Sequence, residues 1–111
     1  MKAIISQRES LNEYGERIDS LESSYVNYFE SFGLEIYPIS NFTNLIDQSK
    51  LMNEVQMIIL TGGGSAKLKS DPNQDIYIQQ FRNKVEEHLL KISIENQIPV
   101  LGICRGFQFM N

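Results

Sequence analysis

The sequence has no tryptophan, one cysteine and one histidine in 111 residues. A lone cysteine, Cys104, cannot form an internal disulfide; it suits a reducing compartment and leaves a free thiol to account for. Basic residues are outnumbered ten to fourteen, giving a net charge of -4. That balance argues against a nucleic-acid binder, which carries a basic patch. No apolar run approaches the roughly 20 residues of a membrane span. The apolar stretch after Met1-Lys2 is shorter than the core of a signal peptide. A cytoplasmic protein with no membrane or nucleic-acid partner is therefore expected. Apolar residues at 41% and charged residues at 22% are ordinary for a globular domain. The length suits one domain, able to bury a core with little to spare.

Short aliphatic runs alternate with segments of helical spacing. "AIIS" (3–6) reads as a buried strand and the polar "QRESLNEYGER" as a loop. Asp19 and Glu22 have capping-box spacing. Leu21, Tyr25, Tyr28, Phe29 and Phe32 follow at helical spacing, and Gly33 is a C-terminal stop. "LEIYPI" (34–39) is a second strand, with Pro38 near its end or on an edge. A short helix is expected over 43–53 and a third strand over 55–60. A polar loop (65–75) precedes a long helix, roughly 76–96, marked by Phe81, Val85, His88, Leu89 and Ile92. "IPVLGI" (98–103) is a fourth strand, and "RGFQFMN" would begin another helix. This alternation predicts an α/β fold with a parallel sheet and right-handed crossovers.

Ligands of open α/β sheets bind beyond the carboxyl ends of the strands, and two such ends carry special sequence. Gly102-Ile103-Cys104-Arg105-Gly106 is the cysteine form of the nucleophile elbow, G-x-S-x-G. The glycines allow a sharp turn between closely packed elements. A helix N-terminus after the turn favours thiolate, and the N–H of Arg105 can face a developing oxyanion. The alternative is a buried structural thiol. Gly62-Gly63-Gly64 follows the third strand; its unobstructed N–H groups can form an anion-binding nest, although an isolated triple glycine is more often a flexible turn. "GGGSAK" lacks the phosphate-loop spacing.

Together the two turns resemble a family. "PVLGICRGFQFMN" (99–111) is similar to the nucleophile segment of class I glutamine amidotransferases, in particular the branch of γ-glutamyl hydrolases called peptidase family C26. "IILTGGG" (58–64) resembles that family's oxyanion strand and loop. "ISQR" (5–8) is similar to a smaller set of hydrolases of γ-glutamyl–nucleotide conjugates. The resemblance implies a flavodoxin-like parallel sheet with helices on both faces. It implies Cys104 as nucleophile towards the γ-amide of glutamine or a γ-glutamyl conjugate, by way of a thioester. It further implies oxyanion donors at Gly63 and Arg105, and contacts to the glutamyl part from Gln108, Gly62 and Gly64. Arg8 is a candidate contact for an anionic substrate group. No cofactor or metal is implied.

The family's triad pairs the cysteine with a histidine and a glutamate placed later in a domain about twice as long. His88 precedes Cys104 and reads as a core-edge or solvated residue. The expectation is that residues 1–111 are the N-terminal part of such a domain, truncated after the elbow. They would be inactive alone and completed by the rest of the domain or a complementary chain. Two alternatives stand beside this. One is a chaperone or glyoxalase type of the same superfamily, which also places a cysteine on an elbow but usually follows it with histidine. The other is a flavodoxin-like binding module without chemistry. Elsewhere the plain readings are the expectation: the Tyr25–Phe32 aromatic stripe as core, Glu86-Glu87 as a solvated face, and "DPNQD" (71–75) as a turn lacking the acidic density of a Ca²⁺ loop.

Overall fold

The computed structural model describes residues 1–42, 53–62 and 72–103, with backbone alone for 72–79. Four strands form one parallel sheet: β1 (Lys2–Ile5), β4 (Glu35–Pro38), β5 (Met57–Leu60) and β6 (Val100–Gly102), in the order β4-β1-β5-β6. Registers run Ala3 opposite Ile36 and Met57, and Ile59 opposite Leu101. Helix α1 (Ser23–Glu30) and helix α2 (Pro72–Asn96) cover its faces. The α/β, flavodoxin-like architecture expected from the sequence is what the chain adopts.

The two central strands are apolar over Ala3–Ile5 and Met57–Leu60 because both faces of the sheet are covered there. Side chains alternate between the faces with period two. Ile4, Ile58 and Leu60 pack with Val85, Leu89 and Ile92 of α2. Ala3, Ile5 and Ile59 pack with Phe29 and Leu34 on the α1 side. Ile4, Ile5, Ile58, Ile59, Leu60 and Leu89 are fully buried, and each burial stabilises by roughly 1.5–3 kcal/mol. Gly33, at φ +84°, ends the turn after α1 as the left-handed stop expected there. Pro38 ends β4 on the sheet edge, where its missing N–H removes no ladder bond.

Several expectations are corrected. Residues 7–17, read as a loop, contain β2 (Arg8–Leu11), which pairs antiparallel with β3 (Arg17–Ser20). Their turn rests on Asn12, whose Oδ1 accepts the N–H groups of Tyr14 and Glu16, and on Gly15 at φ +78°. Charged strands of four residues show no alternating apolar pattern, so the hairpin was hidden. Asp19 does not cap α1. It lies in β3, and its carboxylate accepts the Ser40 hydroxyl, the Asn41 N–H and the Asn41 side-chain amide. Helix α1 starts later, with Glu22 as N-cap and no side-chain capping bond. Of the aromatic stripe, Phe29 is buried, but Tyr28 and Phe32 are 60% and 68% exposed. Helix α2 begins at Pro72 rather than near residue 76, since proline is well suited to the first helical position. The short helix expected over 43–53 falls mainly outside the described residues.

Candidate active site

The chain runs from β1 outward to β4, then crosses to β5 on the other side of β1. This reversal makes the carboxyl ends of β1 and β5 a topological switch point, where ligands of such sheets bind. Ser6 and Thr61 are the first residues beyond those two ends, and they clasp each other. The Thr61 N–H donates to Ser6 Oγ at 3.0 Å, and the Thr61 hydroxyl donates to the Ser6 carbonyl at 3.0 Å. Both are buried.

Gly62 follows, buried and held at both polar atoms. Its N–H donates to the Tyr25 hydroxyl of α1 at 3.1 Å, and its carbonyl accepts from Arg82 of α2 at 3.0 Å. One strand further along, the Ile103 N–H donates to the Leu60 carbonyl at 2.9 Å. Leu60 is in register with Gly102. Gly62 and Ile103 therefore follow adjacent strand ends, about 4.8 Å apart. A mostly apolar cleft of about 290 Å³ opens beside them, lined by Ser24, Tyr25, Tyr28, Phe29 and Ile103. A second cleft, lined by Met1, Lys2, Glu35, Glu54 and Gln56, lies at the amino ends of the strands, opposite the switch point.

Behind the turn lies a buried polar cluster. Arg82 is fully buried. Its Nη2 donates to the carbonyls of Thr61 and Gly62 and to Thr61 Oγ1, while its Nε donates to Glu86 Oε1 at 2.6 Å. Glu86, read as part of a solvated face with Glu87, is instead fully buried in an i,i+4 ion pair; Glu87 is exposed. Glu9 of β2 is also fully buried. Its Oε1 accepts the N–H groups of Phe81 and Arg82, and its Oε2 pairs with Arg17 at 3.0 Å. The Arg17 guanidinium lies over the Phe81 ring, 4.9 Å from its centre. The hairpin is thus fastened to α2 beside the switch point.

Gly62 is the one predicted glycine of the oxyanion turn within the described residues, and its N–H is already engaged by Tyr25. Gly63, Gly64, Cys104, Arg105 and Gln108 lie outside the described residues. Arg8 was expected at the end of the first strand. It begins β2 instead and holds Glu22 in a half-exposed ion pair at 2.7 Å. His88 is half-buried on α2. Arg82, Glu86, Glu9 and the Ser6–Thr61 pair were missed. A signal existed for the first two, because Arg82 and Glu86 fall four apart on the same helical face as Val85 and Leu89. Among the described residues no helix is long and apolar enough to cross a membrane.

The profile of the family described as Peptidase C26 matches residues 2–111. The chain is similar to a glutamine amidotransferase-like protein of Lactococcus lactis, 26% identical over 101 residues, covering 86% of this chain and 42% of the relative. It is also similar to the γ-glutamyl-CDP-amidate hydrolase of Campylobacter jejuni, 36% identical over 75 residues, covering 63% of this chain and 36% of that protein. The matches span less than half the length of either relative.

Proposed function

Because the chain belongs to the peptidase C26 family of the glutamine amidotransferase-like superfamily, we propose that it carries the nucleophile half of an amide-hydrolysing site. Its substrate would be glutamine or a γ-glutamyl conjugate. The observation that supports this reading best is the register of β5 and β6. Ile103 N–H bonds Leu60, so the strand leading to Gly62-Gly63-Gly64 ends beside the strand leading to Cys104. A thiol nucleophile and backbone N–H donors are two of the parts that acyl transfer requires.

In this reading the Cys104 sulfur attacks the γ-carbonyl carbon. The N–H groups of Gly63 and Arg105 receive the oxyanion. The C–N bond then breaks, and the amine leaves with a proton. Water attacks the γ-glutamyl thioester, releasing glutamate and restoring the thiol. The positive charge of Arg105 favours the thiolate, and Gln108 contacts the glutamyl portion. Gly62 contributes by holding the turn rather than by offering its own N–H, which Tyr25 already takes. Arg8 would meet an anionic group of the substrate only by sharing its partner Glu22. The C. jejuni relative acts on a γ-glutamyl conjugate of a nucleotide, and a conjugate of that kind is the substrate class we favour here.

A base for the thiol and an acid for the leaving group are also needed. Residues 1–111 hold one histidine, His88, which precedes the elbow and sits half-buried on α2. These residues by themselves are expected to turn over glutamine poorly, because a thiol with pKa about 8.5 is only a few per cent ionised at neutral pH. The later part of the domain, in the same or a complementary chain, would supply the histidine and glutamate.

The test is the alkylation rate of Cys104 by a γ-glutamyl chloroketone compared with iodoacetamide, with and without excess glutamine. Faster labelling by the chloroketone, suppressed by glutamine, supports the reading. Equal, slow labelling by both reagents, indifferent to glutamine, counts against it, as would rapid turnover by the isolated 111-residue chain against the missing base.

A further inference from the structure

We infer that Arg82 is the positioning residue of the oxyanion turn, locked in place by Glu86. The inference rests on the reading of Cys104 and Gly63 just given.

A peptide unit is planar and trans, so its C=O and the following N–H lie in one plane and point in opposite directions. Arg82 Nη2 grips two successive carbonyls, Thr61 at 2.8 Å and Gly62 at 3.0 Å. Fixing the Gly62 carbonyl oxygen fixes the plane of the peptide that joins it to residue 63. In a trans peptide the N–H lies opposite the carbonyl oxygen, so a restraint on that oxygen is a restraint on the N–H as well. Glycines on both sides of this peptide leave it free to rotate, so some external restraint is required to hold it.

Arg82 suits that task for three reasons. It is fully buried, where each hydrogen bond is stronger and less screened. Its planar fork lets one edge face the two carbonyls while Nε faces Glu86. The pair sits on a 25-residue helix packed on the sheet, so the anchor has a rigid base. A buried arginine paired with a buried glutamate is costly to desolvate and gives no assured gain in stability over apolar residues. An oriented peptide is what a hydrophobic pair could not supply. Tyr25 holds the opposite side through the Gly62 N–H, so α1 and α2 grip the turn from both faces of the sheet.

The test uses the 111-residue chain with Arg82→Lys and, because a buried substitution can prevent folding, the milder Glu86→Gln. Amide hydrogen exchange is read at Thr61 and Gly62, with Ile4 and Ile59 as internal controls. Chloroketone and iodoacetamide labelling of Cys104 is read in parallel. Exchange at Thr61 and Gly62 should accelerate about tenfold or more with the controls unchanged. Chloroketone labelling should slow roughly ten- to a hundredfold, while iodoacetamide, whose displacement of iodide forms no oxyanion, keeps its rate. A purely structural role would raise exchange at all four amides together. Unchanged exchange at Thr61 and Gly62 in both variants overturns the inference, as does accelerated exchange with chloroketone selectivity intact. Absence of selectivity in the unsubstituted chain would instead remove the reading of Cys104, and the exchange rates would still decide whether Arg82 anchors the turn.

Discussion

The hydroxyl of Tyr25 accepts the backbone N–H of Gly62 at 3.1 Å, joining the first helix to the turn that leaves the central strand. A residue whose spacing marks it as ordinary helix core thereby becomes part of the site's framework. Its ring lines the apolar cleft with Phe29 and Ile103, and its oxygen satisfies a buried amide. Tyr25→Phe keeps the ring and removes the acceptor, leaving the Gly62 N–H without this partner. The expected cost is about 1–3 kcal/mol in urea unfolding, with loss of glutamine protection against Cys104 alkylation.

Glu9 binds the hairpin to α2 through the amides of Phe81 and Arg82, and pairs across the hairpin with Arg17. Glu9→Gln preserves its shape but puts a donor where only acceptors fit. Destabilisation of about 2–4 kcal/mol is expected, measured as a shift of the urea midpoint with little change in slope. A change under 0.5 kcal/mol, roughly the range of surface substitutions, would show that the hairpin is not fastened in this way.

Two helix ends give opposite predictions. Gly33 sits at φ +84° with open space where a Cβ would go. Gly33→Ala should therefore cost about 1 kcal/mol, from the backbone alone. Gln97, at φ +54° just past α2, is the non-glycine residue in the same region among the described residues. Gln97→Gly should stabilise by about 0.5–1 kcal/mol. Thermal unfolding of both variants reads the two signs.

At the amino end of the sheet Tyr37 donates to Glu35 at 2.9 Å, and that bond holds its phenol pKa above the ordinary value of 10.0. Lys2 is likewise raised above 10.5 by its bond to Glu54. Both groups therefore add stability that is fully present below their unfolded pKa values and lost as pH rises through the folded ones. Unfolding midpoints should fall above about pH 10. Glu35→Gln should lower the Tyr37 pKa in an NMR titration, and an unchanged titration would remove the hydrogen bond as its cause.

Much of the fold was legible in the residues. "AIIS" and "VQMIIL" are short and aliphatic because the central strands β1 and β5 are covered on both faces, and a buried parallel strand cannot hide that composition; "IPVLGI" has the same pattern although Leu101 is exposed. Gly33 and Pro38 likewise carry their backbone requirements wherever they stand. The β2–β3 hairpin was not legible. Its strands are charged and four residues long, and it is held by bonds such as Glu9 to the Phe81 and Arg82 amides, 72 and 73 positions away in sequence. Asp19 shows the same limit, since its spacing fitted a helix cap while Ser40 and Asn41 offered it better partners.

For the candidate site, the sequence by itself determined the chemistry on offer. One thiol between glycines, after an aliphatic strand, and a triple glycine after another are local patterns, and turns and strands obey local rules. Only the tertiary structure decided what holds them. Glu86 reads as a charge to be solvated, and Arg82 carries no reading at all, until α2 packs on the sheet, because burial depends on which face of a helix meets its neighbour. Once buried, the guanidinium must find acceptors, and those it finds are the carbonyls of Thr61 and Gly62.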